Sequence, residues 1–357
     1  MDRVHIEPRR DFIESIRREV SSCIEVSDSL KVKRWDPGLL WKVPFLLLSR
    51  PWREAAHPTT TPERRVEGVD VDLWCAFGCN AASARLVATG TLQAKPVILF
   101  LGSNADIAFP PSGNEEAKDK YGESYTDRRF ALTRAAKVVC QSQWQLNQLR
   151  VMHSIEGTVI KSPIDILEWS PKEPVPRSGV LWVGRYDDFH KRVHLAIQIA
   201  KLCPEIHFKL IINPSNVEIE KQIRQECPHN ATIIDYVPFD KMNFEFRSSQ
   251  LLLSTGHPNY EGFPNVLLQA AASKTPIVSL YDFDDFLAQS GAGVVCHDSP
   301  ELAASRIRDM AADDKTDWNH VHKYLQERHS IDAISANLCE LIESTVEGYA
   351  AKSVTEA

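Results

Sequence analysis

No apolar run in this chain approaches the roughly 20 residues that cross a bilayer, which argues against a membrane-spanning protein. It also lacks the basic clusters that grip nucleic acid, and a net charge of −7 points the same way. The opening residues, Met1-Asp2-Arg3-Val4-His5, do not read as a signal peptide. Eight cysteines are scattered without paired spacing, several in apolar surroundings, as expected of reduced core thiols in a cytosol. Cys75 and Cys79 bracket a strand end, but no second cysteine or histidine pair has zinc spacing, so core packing is the expectation for both. No nucleophile stands beside a base at a recognisable spacing. The expected location is cytoplasmic, with no nucleic-acid partner and no metal.

What is present is an alternation. At 357 residues the chain has room for two domains with full cores, and its 43% apolar and 25% charged content is ordinary for a globular protein. The first segment reads as a strand at 4–7, an amphipathic helix over 10–23 and a second strand at 29–33. The apolar stretch from Leu39 to Trp52, with basic and tryptophan edges, is either a core helix broken by Pro44 or a segment lying on the inner face of a membrane. From 69 onward strands are expected at 71–76, 96–101 and 137–140, with helices at 80–89, 126–135 and 143–152 and a long polar loop over 109–122. Residues 158–165 close this half, and the proline-rich stretch 171–176 reads as a linker. Beyond it strands at 179–183, 206–212, 232–237, 251–255, 276–280 and 293–296 alternate with helices, and helical segments at 300–310, 317–328 and 331–349 close the chain. Such alternation implies an α/β protein of two Rossmann-like, doubly wound domains facing across a cleft. The expected division is 1–170, 171–330, and a C-terminal helix with a frayed tail over 331–357 that packs back toward the first domain.

The stretch with the most chemistry runs from Glu261 to Ala272, between two buried strands. A helix expected to start at Pro264 has only Phe263 and Gly262 before it, and neither offers a capping oxygen. Its first amides, near Asn265 and Val266, are left to meet an anion, with the Glu261 carboxylate at the mouth of the turn. The strand at 179–183 ends in Gly184-Arg185 and is followed by Lys191. Two cations there, opposite a free helix end, suit a diphosphate and stabilise it as it leaves. Other charged groups have blander readings. His190 and His194 are surface or capping residues, with His190 close enough to the phosphate site to matter there; Asp282, Asp284 and Asp285 are either a solvated turn or a sugar contact. Arg128 and Arg129 are either helix-surface charges or ligands of an anionic acceptor.

Gly184-Arg185 with Lys191, Glu261-Gly262-Phe263-Pro264-Asn265 and the tract from Ala271 to Val278 together resemble the retaining glycosyltransferases of family 4, which have the GT-B fold. The likeness runs from about Val69 to the C-terminus. It implies a nucleotide-diphosphate sugar held mainly by the C-terminal half, and a glycan, lipid-linked or small-molecule acceptor on the N-terminal half. By this resemblance Arg185 and Lys191 match the diphosphate-binding pair, Glu261 lies by the donor sugar, and Gln269 stands where a second glutamate binds the ribose. A glutamine amide still bonds a ribose diol, but it is neutral. Gly184, Gly262, Phe263, Asn265 and Val266 line the donor, while Asn213, Tyr236 and Val237 resemble the nucleobase loops. Gly102, Ser103, Asn104 and Asp106 resemble an acceptor-side turn, with Leu101 where the family has a histidine. Residues 7–10 replace the family's glycine-rich loop.

The resemblance implies front-side transfer of a hexose-type sugar with retention, the departing diphosphate taking the acceptor's proton, and no cofactor or metal. Leu101, Gln269 and the atypical N-terminus favour a rival: a catalytically weak or inactive GT-B protein that binds nucleotide sugar. An epimerase or hydrolase of sugar nucleotides is the other alternative.

Overall fold

A computed structural model describes residues 4–6, 24–26, 66, 69–108, 118–119, 122–170 and 173–355. The expected helix at 10–23, the strand at 29–33, the segment from Leu39 to Trp52, most of the loop at 109–122, and Pro171 with Lys172 lie outside these residues. Contacts divide the chain into two units, Met1–Val69 and Asp70–Ala357. In the first, β1 (Val4–Ile6) and β2 (Ile24–Val26) pair in parallel, Val4 opposite Ile24.

The second unit holds two parallel sheets. One has the order β3-β4-β5-β6, from β3 (Trp74–Phe77), β4 (Val97–Phe100), β5 (Lys137–Cys140) and β6 (Thr158–Val159). Its helices α1 (Ala81–Leu92), α2 (Tyr125–Arg134) and α3 (Gln143–His153) begin at true capping residues. Asn80 accepts from the amides of Ala82 and Ser83, and Ser142 from that of Gln145. A short helix α4 (Ile166–Trp169) follows, and the chain passes to the other sheet between Val159 and Val180.

The second sheet runs β12-β11-β10-β7-β8-β9, from β7 (Val180–Arg185), β8 (Phe208–Asn213), β9 (Ala231–Ile234), β10 (Leu251–Ser254), β11 (Ile277–Ser279) and β12 (Gly293–Val295). Its helices are α5 (Val193–Leu202), α6 (Val217–Glu226), α7 (Phe239–Arg247), α8 (Asn265–Ala272), α9 (Phe286–Ser290) and α10 (Pro300–Ala312), with α11 (Trp318–Arg328) and α12 (Ile331–Thr355) at the end. Strand residues two apart face the same way, so neighbours along each strand feed different cores. Leu181, Ile211, Leu252 and Ile277 pack with α8 and α11 on one side. Val180, Trp182, Leu210, Leu251, Leu253 and Val278 pack with α5 and α10 on the other. Covering both faces is what makes these strands continuous apolar runs rather than alternating ones.

This strand order reverses between β7 and β10. Successive strands after β7 are added on one side, and β10 to β12 on the other. At such a reversal the loops leaving the carboxyl ends diverge and open a crevice for ligands. The crevice here is bounded by the loops after Arg185 and after Ser254.

The C-terminal helices supply two of the links between the sheets. Ile334 and Leu341 of α12 cluster with Ile98, Val139 and Ile160 of the smaller sheet. His329, between α11 and α12, accepts from the Ile164 amide through its carbonyl at 2.8 Å, and its Nδ1 meets the Ser162 carbonyl at 2.8 Å. Its ring stacks on Phe263, 5.6 Å between centroids.

Burial is the main cause that pushes the His329 pKa down to about 4, against the Ser162 bond, which raises it. Between that value and the ordinary imidazole range, the unfolded chain binds a proton that the folded one refuses. Stability is therefore full above about pH 6.5 and falls as pH drops toward 4, by up to about 3 kcal/mol. His329→Phe keeps the stack and loses the Ser162 bond, costing about 1 kcal/mol at pH 7.5. Thermal melts at pH 5 and 7.5 should show a smaller pH dependence in this variant than in the parent.

Candidate active site at the strand-order reversal

The loop after β7 is held by buried polar groups before any ligand is considered. Trp182 Nε1 donates to Thr255 Oγ1 at 2.8 Å, and Thr255 Oγ1 donates to the Lys191 carbonyl at 2.6 Å. Gly184 is required by the same tryptophan, because a Cβ there would lie 2.4 Å from the ring. Arg192 adopts φ +53°, a left-handed conformation that costs a side-chain-bearing residue about 1–2 kcal/mol. Its guanidinium offsets that cost. It donates to the carbonyls of Thr255 at 2.6 Å and Gly256 at 3.1 Å, reaches Asp298 at 2.7 Å, and lies over the Tyr281 ring. The loops after β7 and β10 are thus one assembly.

On that assembly sit four charges in two pairs. Arg185 Nε donates to Asp187 Oδ2 at 2.6 Å, and Lys191 Nζ donates to Glu261 Oε1 at 2.5 Å. Asp187 Oδ1 accepts from the amides of His190 at 2.8 Å and Lys191 at 2.6 Å, which closes the turn that presents the lysine. Glu261 is only 5% exposed, and its Oε2 has no hydrogen-bond partner among the described residues. A buried carboxylate oxygen without a donor is costly, and a ligand hydroxyl would satisfy it. His190 lies between the pairs, its Nε2 3.8 Å from Glu261 Oε1 and its Nδ1 4.0 Å from Asp187 Oδ2.

The helix expected from Pro264 begins one residue later. Pro264 is the N-cap, with extended backbone, and no side chain caps α8. Phe263 does not leave its amide open: it donates to Gln141 Oε1 at 3.0 Å, and its ring is core, edge-on to Phe286. Leu267 turns back onto the Pro264 carbonyl at 3.0 Å. The amides of Asn265 and Val266 are the ones without an acceptor among the described residues. Gln269 is half-buried one turn further along, on the same helix face as Asn265.

Asn213 ends β8 in register with Arg185 and is exposed. Tyr236 and Val237 follow β9, one strand further out; Tyr236 is 69% exposed, and Val237 packs on the core. On the turn after β4, Asp106 Oδ2 accepts from the amides of Gly102 at 2.6 Å and Ser103 at 3.1 Å. Burial raises the pKa of Asp106, opposed by those amides and by Arg128. Asn104 Nδ2 donates to the Pro258 carbonyl, so this turn touches the loop that carries Glu261.

Two sequence expectations change. Arg128 is no helix-surface charge: it is 3% exposed, pairs with Asp119, and donates to the carbonyls of Cys79 at 3.2 Å and Ala105 at 2.8 Å. It ties together the loops beyond β3 and β4. Asp284 is neither a solvated turn nor free for sugar, since it accepts from the Gln143 amide and from Lys161 Nζ, both at 2.8 Å. Asp282 caps α9 through the amides of Leu287 and Ala288. His194 pairs with Asp188. Cys79 is buried, as expected of a core thiol, whereas Cys75 is exposed.

Asp187, Thr255, Arg192 and Gln141 were missed from sequence. Only Asp187 had a signal, an acid two residues after a strand-end arginine. Among the described residues no three His, Cys, Asp or Glu side chains gather as a metal site would, and no helix is long and apolar enough to cross a membrane.

Residues 177–313 match the family model described as Glycosyl transferases group 1. The match runs from just before β7 to the end of α10 and includes both loops of the crevice. No sequence among the curated proteins matches the chain. Among solved structures, Anabaena HepE in complex with UDP-glucose aligns with TM-score 0.68 and 15% identity, over 96% of this chain and 91% of that one. Sucrose-phosphate synthase from Thermosynechococcus elongatus aligns with TM-score 0.64 and 12% identity, over 91% and 84%. A mutant of S. aureus TarM in complex with Fondaparinux, alpha-GlcNAc-glycerol and UDP aligns with TM-score 0.55 and 17% identity, over 69% and 50%. This chain therefore spans half the length of TarM. The fold is the α/β GT-B fold of glycosyltransferases, built on parallel Rossmann-like sheets.

Gly262 offers a test of how the two sheets meet at this site. A Cβ there would lie 2.1 Å from Gln141 Oε1, the acceptor for Phe263. Gly262→Ala should displace that side chain and cost about 1–3 kcal/mol in urea unfolding. Adding Gln141→Ala should cost less in the alanine background than in the parent, because the bond is already broken there.

Proposed function

We propose that this protein transfers a hexose-type sugar from a nucleotide-diphosphate sugar to an acceptor with retention of configuration. The observation that carries the reading is the convergence of Arg185, Lys191 and Glu261 at the strand-order reversal, beside the uncapped end of α8. The family match over the same residues and the GT-B fold support it.

In this reading the diphosphate draws Arg185 from Asp187 and Lys191 from Glu261, and the amides of Asn265 and Val266 complete its cradle. The unpartnered Glu261 Oε2 accepts a donor-sugar hydroxyl. Gln269 bonds the ribose by its amide, and the loops at Asn213 and Tyr236–Val237 border the base. The acceptor enters from the turn of Gly102, Ser103, Asn104 and Asp106. Its oxygen bonds to the anomeric carbon on the face from which the phosphate oxygen departs, and its proton passes to the departing diphosphate. The two cations stabilise the charge that develops there, so the chemistry rests on positioning and fixed charge and is proposed to need no metal. The acceptor class is a glycan, a lipid-linked sugar or a small molecule.

HepE was solved with UDP-glucose, which makes that compound the first probe, with GDP-glucose and ADP-glucose beside it. One of the three should raise the melting temperature and slowly release its nucleoside diphosphate. Lys191→Ala removes a cation from the diphosphate and should slow the release at least tenfold, since a charge-assisted bond contributes about 1.5–3 kcal/mol. If no nucleotide sugar shifts the melt, the reading is wrong; a shift without any turnover favours the binding-protein rival.

A further inference from the structure

We infer that His190 takes up a proton when the donor binds, so that donor affinity is coupled to pH through the exchange of ion-pair partners around its imidazole. This rests on the donor reading above. In the ligand-free protein His190 is bracketed by two carboxylates whose charge is already spent, Asp187 on Arg185 at 2.6 Å and Glu261 on Lys191 at 2.5 Å. Its own ring nitrogens stand further off, 4.0 Å and 3.8 Å from the same oxygens. Among the described residues, two cations and two anions flank the one imidazole.

A diphosphate upsets this pairing in one direction. It competes for Arg185 and Lys191, and each cation it draws away leaves a carboxylate oxygen facing His190. It also adds negative charge of its own at short range. Both changes favour the imidazolium. The proton comes from solvent and goes to the ring; no covalent bond changes. Its positive charge replaces one of the two that Asp187 and Glu261 lose, so the pair of carboxylates keeps a shared counter-charge beside the bound anion.

The starting state suits uptake. Burial is the largest influence on His190 and holds its pKa below the ordinary imidazole value; Glu261 raises it, Lys191 and Arg185 lower it, and Asp187 raises it. The ring is therefore neutral near neutral pH before the donor arrives. Among the described residues, His257 donates its amide to the His190 carbonyl at 3.0 Å and turns its ring to Tyr260 and Tyr281. His194 is paired with Asp188. Because the complex binds the extra proton, affinity weakens as pH rises through the bound-state pKa, by at most tenfold per pH unit for one proton.

Isothermal titration calorimetry on the full chain tests this with UDP-glucose, GDP-glucose and ADP-glucose at pH 7, in PIPES and in imidazole, two buffers without phosphate that differ in ionisation enthalpy. These diesters carry no phosphate group that titrates near neutrality, so a binding heat that depends on the buffer's ionisation enthalpy counts protons taken up by the protein. The expected result is uptake of between a few tenths and one proton in the parent, lost in His190→Gln and reduced in Asp187→Asn. The parent measurement decides whether uptake occurs, even if a variant folds poorly. Binding without buffer dependence, or uptake that persists in a folded His190→Gln, overturns the inference and leaves the donor reading standing. Failure of all three sugars to bind overturns the donor reading and the inference with it.

Discussion

The site depends on Lys191 and Glu261 meeting across the strand-order reversal, because that pair joins the loop after β7 to the loop after β10. Everything beneath it serves the meeting. Trp182 and Thr255 fasten the lysine's backbone, Arg192 accepts a left-handed turn to hold both loops, and Asp187 gathers the amides that aim the lysine. With Arg185 on Asp187, each of the two cations is paired with a carboxylate. Two cations left bare would repel one another and wait for any anion. Two cations already paired are released only by a ligand that offers more than a carboxylate does, and a diphosphate held by amides and both cations meets that demand.

The same crevice is the place where the two sheets come closest in hydrogen bonds. Gln141 at the end of β5 takes the Phe263 amide, Asn104 reaches the Pro258 carbonyl, and Asp284 binds both Gln143 and Lys161. His329 locks the far side against Phe263. The loop that carries Glu261 is therefore also tied to the turn after β4. Transfer between two substrates needs such a joint, since each must be positioned against the other with water excluded.

Much of this was legible in the sequence. The alternation of buried runs and capped helices marked the parallel sheets, because strands covered on both faces must be apolar throughout. Arg185, Lys191 and Glu261 stood out by their place at strand ends beside an uncapped helix and by the family resemblance of the motifs that hold them. Partners were not legible. That Lys191 meets Glu261 depends on strand order, and sequence does not say that β10 lies beside β7. Arg128 looked like a surface charge because helix position alone does not reveal which loops fold over it. Phe263 looked like a donor-lining residue, yet Gln141, 122 residues earlier, takes its amide.

The account's central claim is that Glu261 holds Lys191 in competition with the diphosphate. UDP lacks the sugar that Glu261 would bind, so it isolates this competition. Glu261→Gln keeps the shape and removes the charge that holds the lysine. Calorimetric Kd values for UDP in the parent and in this variant at pH 7.5 and low salt measure the effect directly. The account predicts tighter UDP binding in Glu261→Gln; unchanged or weaker binding would contradict it.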